Sequence, residues 1–443
     1  MDGDKFHLRN ALVAALRKAL QIVAAKSHER RSAQLVWKLQ GSPGWVGSHE
    51  ERLEIVWGFC ALSDQIDAFN ELKEAFEAEI PWLLGSTVRV ESLIRAKCKL
   101  YTILSGLVFT IWDRYGSLVV DVNAMQEVID DFFYSIETRT ITFGYLAPIR
   151  DFRMLGVDTF IFPNGVQIRQ LRESEANRLY GGIFPAFKSS FAPPGLFTFA
   201  GEIEQRFAVA DEPDSAQSLR ALVSNAIATV EEIMMSHKAG RVVHDWISIT
   251  FAKPSPTGTL NMGIDASPRP AKDCYELTEA DLSRISNSFR LVTTAEFPAL
   301  TTACKRLADS ERRTNAADAI MDAVIGLEML LLGGPDREGL RFRFALNYAT
   351  LSADHSPTVR RLRFKTASDK YKARSQLVHA GTRPHKLIKI ADESLAIKDV
   401  ARKAKEMLRT TIDAFLRLEV PARSNERERW FDNFWESGYF ALR

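Results

Sequence analysis

The chain has 443 residues, of which 46% are hydrophobic and 26% are charged, and its formal net charge is +2. This length allows two or three domains with separate hydrophobic cores. The near balance of charge argues against a protein that coats nucleic acid regardless of sequence, so any nucleic-acid surface must be a local basic patch. The four cysteines form no Cys-x-x-Cys pair, which argues against a zinc site and against a secreted disulfide framework.

The hydropathy pattern predicts a cytoplasmic protein. Residues 1–7 have no apolar signal core. The longest mostly apolar run, 101–112, is too short to cross a bilayer. We therefore expect a protein of the reducing cytoplasm that has no membrane partner.

Residues 1–150 are predicted to form a helical N-terminal domain. Apolar residues at steps of three and four predict helices over 5–40, 50–78, 86–115 and 122–138. The segment is rich in aromatic side chains that can fill a helical core. Since it has no spacing that is typical of a catalytic site, we expect a structural or partner-binding role.

Residues 151–277 are predicted to form an α+β region. A β-hairpin is expected at 157–169, because the dipeptide Asn164-Gly165 tolerates positive φ in a turn. The other predicted elements are a strand within 184–201, a helix at 216–238, and strands at 242–252 and 259–264. Two histidines of this region, His237 and His244, lack an acid or cysteine at a metal-ligand spacing, which favours ordinary hydrogen-bonded side chains.

Residues 278–443 are predicted to form an all-α domain. Thr278 is a candidate N-cap for its first helix, and Gly381 with Pro384 is predicted to end the segment that begins at Ser368. The other helices are predicted over 293–311, 314–332 and 338–352, from Pro357, and over 392–418. The tail at 424–440 carries six aromatic residues, which we expect to be docked rather than exposed.

One motif in residues 278–443 has side chains that are able to act in catalysis. Arg374 and His379 are separated by four residues, and His379 is the only histidine of the chain that follows an arginine with four to six residues between them. A preceding helix holds an acid, Glu328, inside the apolar run 322–332. The next helix holds Arg341 and Arg343.

The order of these segments resembles the HEPN superfamily, and most closely its Apea-like branch. The matching segments are Asp322…Leu327-Glu328, Leu340-Arg341-Phe342-Arg343-Phe344-Ala345 and Tyr371…Arg374-Ser375…Val378-His379-Ala380-Gly381. The resemblance covers about 280–420, and a looser resemblance over about 150–280 rests on 160–169 with Glu173 and Glu175. The resemblance does not extend to residues 1–150.

The resemblance implies a C-terminal HEPN helical bundle and a metal-independent endoribonuclease without a cofactor. Its partner would be RNA, with tRNA as one candidate. The branch implies a toxic effector in prokaryotic antiphage defence or abortive infection, under the control of a trigger or an antitoxin protein. Because the cleft of HEPN nucleases lies between paired domains, the resemblance also implies a homodimer.

The chemistry of Arg374 and His379 suits this activity. A histidine can take the 2′-hydroxyl proton or protonate the leaving 5′-oxygen, and an arginine can stabilise the charge of the phosphorane, so the product would end in a 2′,3′-cyclic phosphate. On an ideal helix the two side chains lie about 140° apart. They converge only if His379 lies at the helix end, which Gly381 favours. The alternative is a surface ion pair of Arg374 and a helix-capping His379.

Other residues have two interpretations each. Glu328 is predicted to orient Arg374, and the alternative is a structural salt bridge to Arg341 or Arg343. Asn347 either faces the cleft or caps a helix locally.

A basic run around the motif is predicted to contact RNA, with a merely solvated charged face as the alternative. Ser375 either hydrogen-bonds a phosphate or the preceding helical turn. The predicted RNA-binding residues are Arg360, Arg361, Arg363, Lys372, Ser375 and Arg383, with Lys365, Lys370, His385 and Lys386 nearby.

A rival function is a non-catalytic HEPN module that binds a nucleotide or a partner protein and acts as a regulator. The presence of both Arg374 and His379 favours the enzyme, because a purely structural module requires neither. Residues 1–150 are predicted to sense a trigger or to restrain access to the cleft.

Overall fold

Helices predominate in a computed structural model of the chain, and a seven-stranded sheet lies among them. The protein is therefore mainly α with an α+β part. The structure describes residues 5–27, 31–39, 45–53, 62, 66–90, 94–115, 117–180, 196–209, 218–244, 246–258, 260–265, 274–293, 298–332, 338–351, 356–380, 388–390 and 393–417. None of the helices in these segments combines the length and the apolar character that a membrane crossing requires.

Four helices near the N-terminus pack together. They are α1 (Lys5–Ser27), α2 (Asn70–Glu79), α3 (Leu100–Tyr115) and α4 (Val122–Thr138). In α1 the buried Leu8, Leu12 and Leu16 recur every four residues, which places them on the one face that packs against the other helices. Asp121 is the N-cap of α4, and its carboxylate accepts a hydrogen bond from the Ala124 amide at 2.8 Å.

Strands interrupt the predicted N-terminal helices. The helix predicted over 5–40 ends at Ser27, and an antiparallel pair follows, formed by β1 (Arg31–Leu39) and β2 (Trp45–Leu53). The prediction was wrong here because Leu35, Val36 and Leu39 fit a helix as well as a strand. The Gly- and Pro-containing segment 41–44 between the two runs is the better signal, since it favours a chain reversal.

The helices predicted over 50–78 and 86–115 also begin later than expected. A short 3-10 turn, Ile66–Phe69, precedes α2. Strands β3 (Thr87–Val90) and β4 (Ile94–Lys97) precede α3 and pair with each other.

The sheet is built around β5 (Thr140–Arg150), which the sequence prediction places at the end of the helical N-terminal domain. Beyond it follow β6 (Phe152–Leu155), β7 (Thr159–Ile161), β8 (Gln167–Gln170), β9 (Phe197–Arg206), β10 (Ala208–Val209), β11 (Val243–His244), β12 (Trp246–Phe251), β13 (Asn261–Asp265) and β14 (Tyr275–Thr278). The order across the sheet is β13-β12-β5-β9-β8-β7, with β11 also on β5. Strand β10 instead pairs with β3, and β14 runs parallel to β6.

The predicted β-hairpin at 157–169 is confirmed by the pairing of β7 with β8. Gly165 has a φ of 82°, as the turn dipeptide predicts, and the Asn164 side chain accepts a hydrogen bond from the Val166 amide. Two helices accompany the sheet, α5 (Glu173–Tyr180) and α6 (Leu219–His237).

The C-terminal part is a series of helices. They are α7 (Glu279–Thr293), α8 (Pro298–Arg312), α9 (Ala316–Leu331), α10 (Leu340–Leu351), α11 (Pro357–Ala380) and α12 (Ile397–Arg417). Thr278 and Asp281 cap α7 reciprocally, which confirms the predicted N-cap. A short pair, β15 (Ile388–Ile390) and β16 (Glu393–Leu395), precedes α12. The aromatic tail predicted to be docked lies outside the described residues.

Helix α11 corrects one predicted boundary. The helix from Pro357 runs without a break to Ala380, whereas the sequence predicts a new helix at Ser368. Ser368 and Asp369 are common helix starters but also occur inside helices when the side chain finds another partner. The Ser368 hydroxyl does so, because it accepts a hydrogen bond from Arg341 at 2.8 Å.

Candidate active site

Helices α9 and α11 bring Glu328 and Arg374 together. Glu328 lies in the last turn of α9 and Arg374 in the second half of α11. Arg374 Nη2 and Glu328 Oε2 are 3.5 Å apart, and both side chains are partly exposed, at 29% and 19%. The contact pairs Glu328 with Arg374, the partner of the first interpretation, and the orienting role of Glu328 stays a prediction. Arg341, a proposed alternative partner, donates its Nε–H to Ser368 instead.

The surroundings of Glu328 act on its charge in opposite directions. Burial raises the pKa of this carboxyl group, whereas the Arg374 charge and a hydrogen bond from Tyr371 lower it, and the net shift is upward. Glu328 is therefore protonated more readily than an exposed glutamate. Any role that needs its carboxylate will be lost on acidification earlier than usual.

Tyr371 is a member of the site that the sequence prediction did not include. Its hydroxyl bonds Glu328, and its ring packs at 5.2 Å from the Phe344 ring of α10. Burial, followed by the negative charge of Glu328, raises the Tyr371 pKa, so the phenol stays a proton donor. The sequence did contain a signal for Tyr371, because it lies three residues before Arg374 and is therefore next to it on the helix.

The guanidinium of Arg374 retains unused hydrogen-bond donors. Its Nη2 lies 3.5 Å from the Glu328 carboxylate, and its buried Nε has no hydrogen-bond partner among the described residues. An arginine fork presents five N–H groups and fits phosphate oxygens in a bidentate way. Arg374 can therefore hold Glu328 and bind an anionic oxygen at the same time.

Asn347 makes a local cap. Its side chain is 2% exposed, and its amide donates to the Leu331 carbonyl at the C-terminus of α9, with 2.6 Å between Nδ2 and the oxygen. This contact satisfies one of the carbonyls that a helix end leaves without an intrahelical partner. Asn347 thus supports the helix that carries Glu328, and its contact is the local one of the two alternatives.

His379 occupies the last turn of α11, one residue before the helix ends at Ala380. This is the location that convergence with Arg374 requires. The side chain of His379 lies outside the described part of the chain, as does Arg383. The pairing of Arg374 with His379 therefore stays a prediction.

The predicted RNA-binding residues on α11 differ in exposure. Arg361 and Lys372 are exposed, and Arg360, Arg363 and Ser375 are half-buried. Among the described residues, no carboxylate pairs with Arg360, Arg361 or Arg363, and each of Arg360 and Arg363 has a buried guanidinium nitrogen without a partner. The first half of α11 therefore carries positive charge that the described part of the chain does not neutralise.

Lys370 does not belong to this basic surface. Its side chain is buried, and Nζ donates to the Lys403 carbonyl of α12 at 2.8 Å. Burial lowers its pKa to about 8. The prediction that Lys370 contacts RNA was wrong. Lys370 lies two residues from the exposed Lys372, and because two helical positions differ by about 200°, the two side chains lie on opposite sides of the helix. His385 and Lys386 lie outside the described residues.

His237 and His244 are hydrogen-bonded, as predicted. His237 lies 3.3 Å from Asp281, and the His244 Nδ1 lies 2.7 Å from the Glu231 carboxylate. Glu231 also accepts a hydrogen bond from Arg312 of α8. These contacts tie α6 to the sheet and to the C-terminal helices.

The partly exposed group of Glu328, Tyr371 and Arg374 can thus bind an anion near a helix end that bears a histidine. None of the other side-chain groups of this section pairs a carboxylate of raised pKa with an arginine whose Nε lacks a partner. Comparison of the chain with protein-family models, with curated proteins and with solved structures finds no match.

Proposed function

We propose that the protein is a metal-independent endoribonuclease of the HEPN type that acts as a toxic effector in prokaryotic antiphage defence or abortive infection. The observation that carries the proposal is the contact between Glu328 and Arg374. It supports the proposal because a carboxylate contacts an arginine whose Nε has no partner among the described residues, on the helix whose last turn holds His379.

The proposed reaction uses the substrate's own nucleophile. His379 withdraws the proton of a ribose 2′-hydroxyl or protonates the leaving 5′-oxygen, and Arg374 stabilises the charge that develops on the phosphorane. Glu328 orients Arg374, and Tyr371 holds Glu328. The products carry a 2′,3′-cyclic phosphate and a 5′-hydroxyl, so the scheme assigns no step to a metal.

The basic surface of α11 is proposed to hold the RNA backbone. Its members are Arg360, Arg361, Arg363, Lys372 and Ser375, and Arg383 follows in the chain. Because one Arg374 and one His379 do not provide a separate acid and base, the active form is proposed to be a cytoplasmic homodimer in which two motifs face each other.

The test is RNA cleavage by the purified full-length chain with excess chelator. Arg374→Ala and His379→Ala should each lower the cleavage rate by at least about 100-fold, because each removes a group that acts in the transition state. Arg402→Ala is the matched control, since Arg402 is an exposed arginine of α12 whose described ion pair is with Asp399. Its rate should equal that of the wild type.

Two results would contradict the proposal. Cleavage that survives either substitution would exclude the assigned roles, and cleavage that disappears with chelator would show metal dependence. A wild-type chain that cuts no RNA but binds a nucleotide or a protein would instead support the non-catalytic regulatory module.

A further inference from the structure

An aromatic ring on α10 lies largely in water beside the basic part of α11. Phe342 is 59% exposed, although phenylalanine is a residue that folding normally buries. Its ring packs edge to face against Phe364 of α11, with centroids 5.6 Å apart. Leu362, two residues before Phe364, is 58% exposed. The two helices therefore present an apolar patch with an accessible ring.

Positive charges lie on both sides of this ring. Arg360 and Arg361 precede Phe364 by one helical turn, and no carboxylate pairs with either within the described segments. On the other side the exposed Arg341 is held by its bond to Ser368, one turn after Phe364. The bond thus fixes the Arg341 guanidinium next to the ring through Nε, while the residue as a whole is exposed.

This combination fits one class of ligand. Single-stranded nucleic acid presents phosphates at regular intervals and unpaired bases whose faces stack on aromatic side chains. A double helix keeps those faces inside its stack and exposes backbone instead. The ring is accessible and lies among arginines, of which Arg360 and Arg361 have no carboxylate partner in the described segments. This arrangement favours a single strand over a duplex.

Two other occupants of the patch are less compatible with its charge. A second copy related by a two-fold axis would bring the same arginines of both chains face to face, since such an interface pairs one surface with itself. A protein partner would have to bring an acidic surface to balance the three arginines. An RNA strand brings this charge in every phosphate.

We propose that Phe342 stacks on an unpaired base of the RNA substrate while Arg341, Arg360 and Arg361 bind the neighbouring phosphates. The inference rests on the proposed ribonuclease function, and it specifies single-stranded RNA as the substrate. Phe364 precedes Arg374 by ten residues, which is about 15 Å along the helix axis. A strand held at Phe342 can therefore extend along α11 to the candidate active site.

The experiment measures binding without cleavage. The full-length protein is titrated into two fluorescent 2′-O-methyl RNAs, an unstructured strand and a fully paired hairpin of the same composition. The methyl group blocks the attacking 2′-oxygen, so binding is measured whether or not the protein is a nuclease. We expect the wild type to bind the unstructured strand more tightly than the hairpin.

Substitutions of Phe342 test the stacking. Phe342→Ala should weaken single-strand binding about tenfold, as expected for loss of one base–aromatic stack, and should leave hairpin binding unchanged. Phe342→Trp should restore the affinity, whereas Phe342→Leu should not. Tyr115→Ala is the matched control, because Tyr115 is an exposed aromatic residue of α3, and its affinity should equal that of the wild type.

Several outcomes would overturn the inference. The first is that the wild type binds neither RNA. The second is that Phe342→Ala weakens binding of the single strand and of the hairpin equally, and the third is that this variant binds the single strand as tightly as the wild type does. A change of sedimentation without a change in RNA binding would identify the patch as a contact between copies. If binding depends on Phe342 but the protein does not cleave ordinary RNA, the ribonuclease function is disproved and the stacking surface is supported. If the protein cleaves RNA but Phe342→Ala binds as the wild type does, the stacking surface is disproved and the ribonuclease function is supported.

Discussion

At the residue scale, burial and two neighbouring side chains determine the pKa of Glu328. Its position in the last turn of α9 removes it from part of the solvent, which favours the protonated form, and Arg374 and Tyr371 favour the ionised form. The folded-state pKa is higher than the ordinary value. Ionised Glu328 therefore costs folding free energy, and the stabilisation present at low pH is lost as the pH rises through the folded pKa.

Replacing Tyr371 with Phe should raise the Glu328 pKa further. The substitution keeps the ring that packs on Phe344 and removes only the hydroxyl that favours the carboxylate. The Glu328 carboxyl carbon, followed by NMR during a pH titration, should shift its midpoint upward, and the RNA cleavage rate should fall on acidification at a higher pH than in the wild type. Tyr115→Phe is the control, because it removes a tyrosine bond to another carboxylate, Glu127.

An unchanged Glu328 midpoint in Tyr371→Phe would show that the hydroxyl has no effect on the carboxylate. A raised midpoint with an unchanged activity profile would show that Glu328 does not orient a catalytic arginine.

The sequence allowed some of these residues to be predicted and not others. The partnership of Glu328 with Arg374 was one of two interpretations, because an acid in an apolar run needs a partner but the pattern does not say which. The role of Tyr371 depends on how α9 and α11 pack, which helical periodicity along one segment does not specify. The error at Lys370 was avoidable, since the phase of the helix already separates it from Lys372.

At the scale of elements, local signals predicted the C-terminal helices better than the N-terminal half. A cap such as Thr278 acts within a few residues of the chain and is visible in the sequence. Strands depend on partners that lie far away in the chain, as when β3 pairs with β10. The short runs at 87–90 and 94–97 also pair with each other, but each has only four residues, too few to show a strand period, so they were predicted as part of a helix.

Helix α3 packs against a buried loop so closely that only glycine fits. A Cβ atom on Gly106 would lie 2.9 Å from the carbonyl oxygen of Gly258 and 3.1 Å from its Cα. Both are backbone atoms, so the loop itself would have to move. Gly326 of α9 differs, because the nearest atom to its Cβ would be the end of the flexible Leu408 side chain.

Gly106→Ala should therefore destabilise the protein more than Gly326→Ala. In both helices alanine is favoured over glycine by about 1 kcal/mol, but crowding in a packed interior typically costs about 1–3 kcal/mol. We expect Gly106→Ala to lower the free energy of unfolding by up to about 2 kcal/mol, measured by urea denaturation. Gly326→Ala should stay within about 1 kcal/mol of the wild type, since Leu408 can change rotamer. Equal losses in the two variants would show that the loop adjusts as easily as the side chain.

At the scale of the whole molecule, one hydrophobic core runs through the N-terminal helices, the sheet and the C-terminal helices. Leu12 of α1, Ile149 of β5 and Leu327 of α9 belong to the same cluster of buried residues. The division into domains at 150 and 277 stays a prediction, but β5 ends at that first boundary and pairs with strands beyond it. Removing residues 1–150 would therefore remove a central strand of the sheet, so the proposed control by the N-terminal helices is better tested by point substitutions.

The proposed homodimer makes a quantitative prediction about mixed chains. If Arg374 of one chain acts with His379 of the other, neither Arg374→Ala nor His379→Ala is active alone. A mixed dimer holds one Arg374 and one His379, on opposite chains. It keeps one of its two sites if a single pair across the interface suffices, and none if both histidines are needed as acid and base. Random exchange makes half of the dimers mixed, so the mixture should recover about a quarter of the wild-type rate in the first case and nothing in the second.

The measurement is the RNA cleavage rate after the two variants are mixed under conditions that allow subunits to exchange, with each variant alone as the reference. The control for exchange mixes wild type with chains that carry both Arg374→Ala and His379→Ala. These chains supply neither residue, so exchange lowers the number of intact sites and cannot create a new one. No recovery in an exchanging mixture would mean that both residues act from the same chain or that all four are required together. Full activity of a strictly monomeric wild type would exclude a shared site, and the acid and base of the reaction would then have to come from one chain.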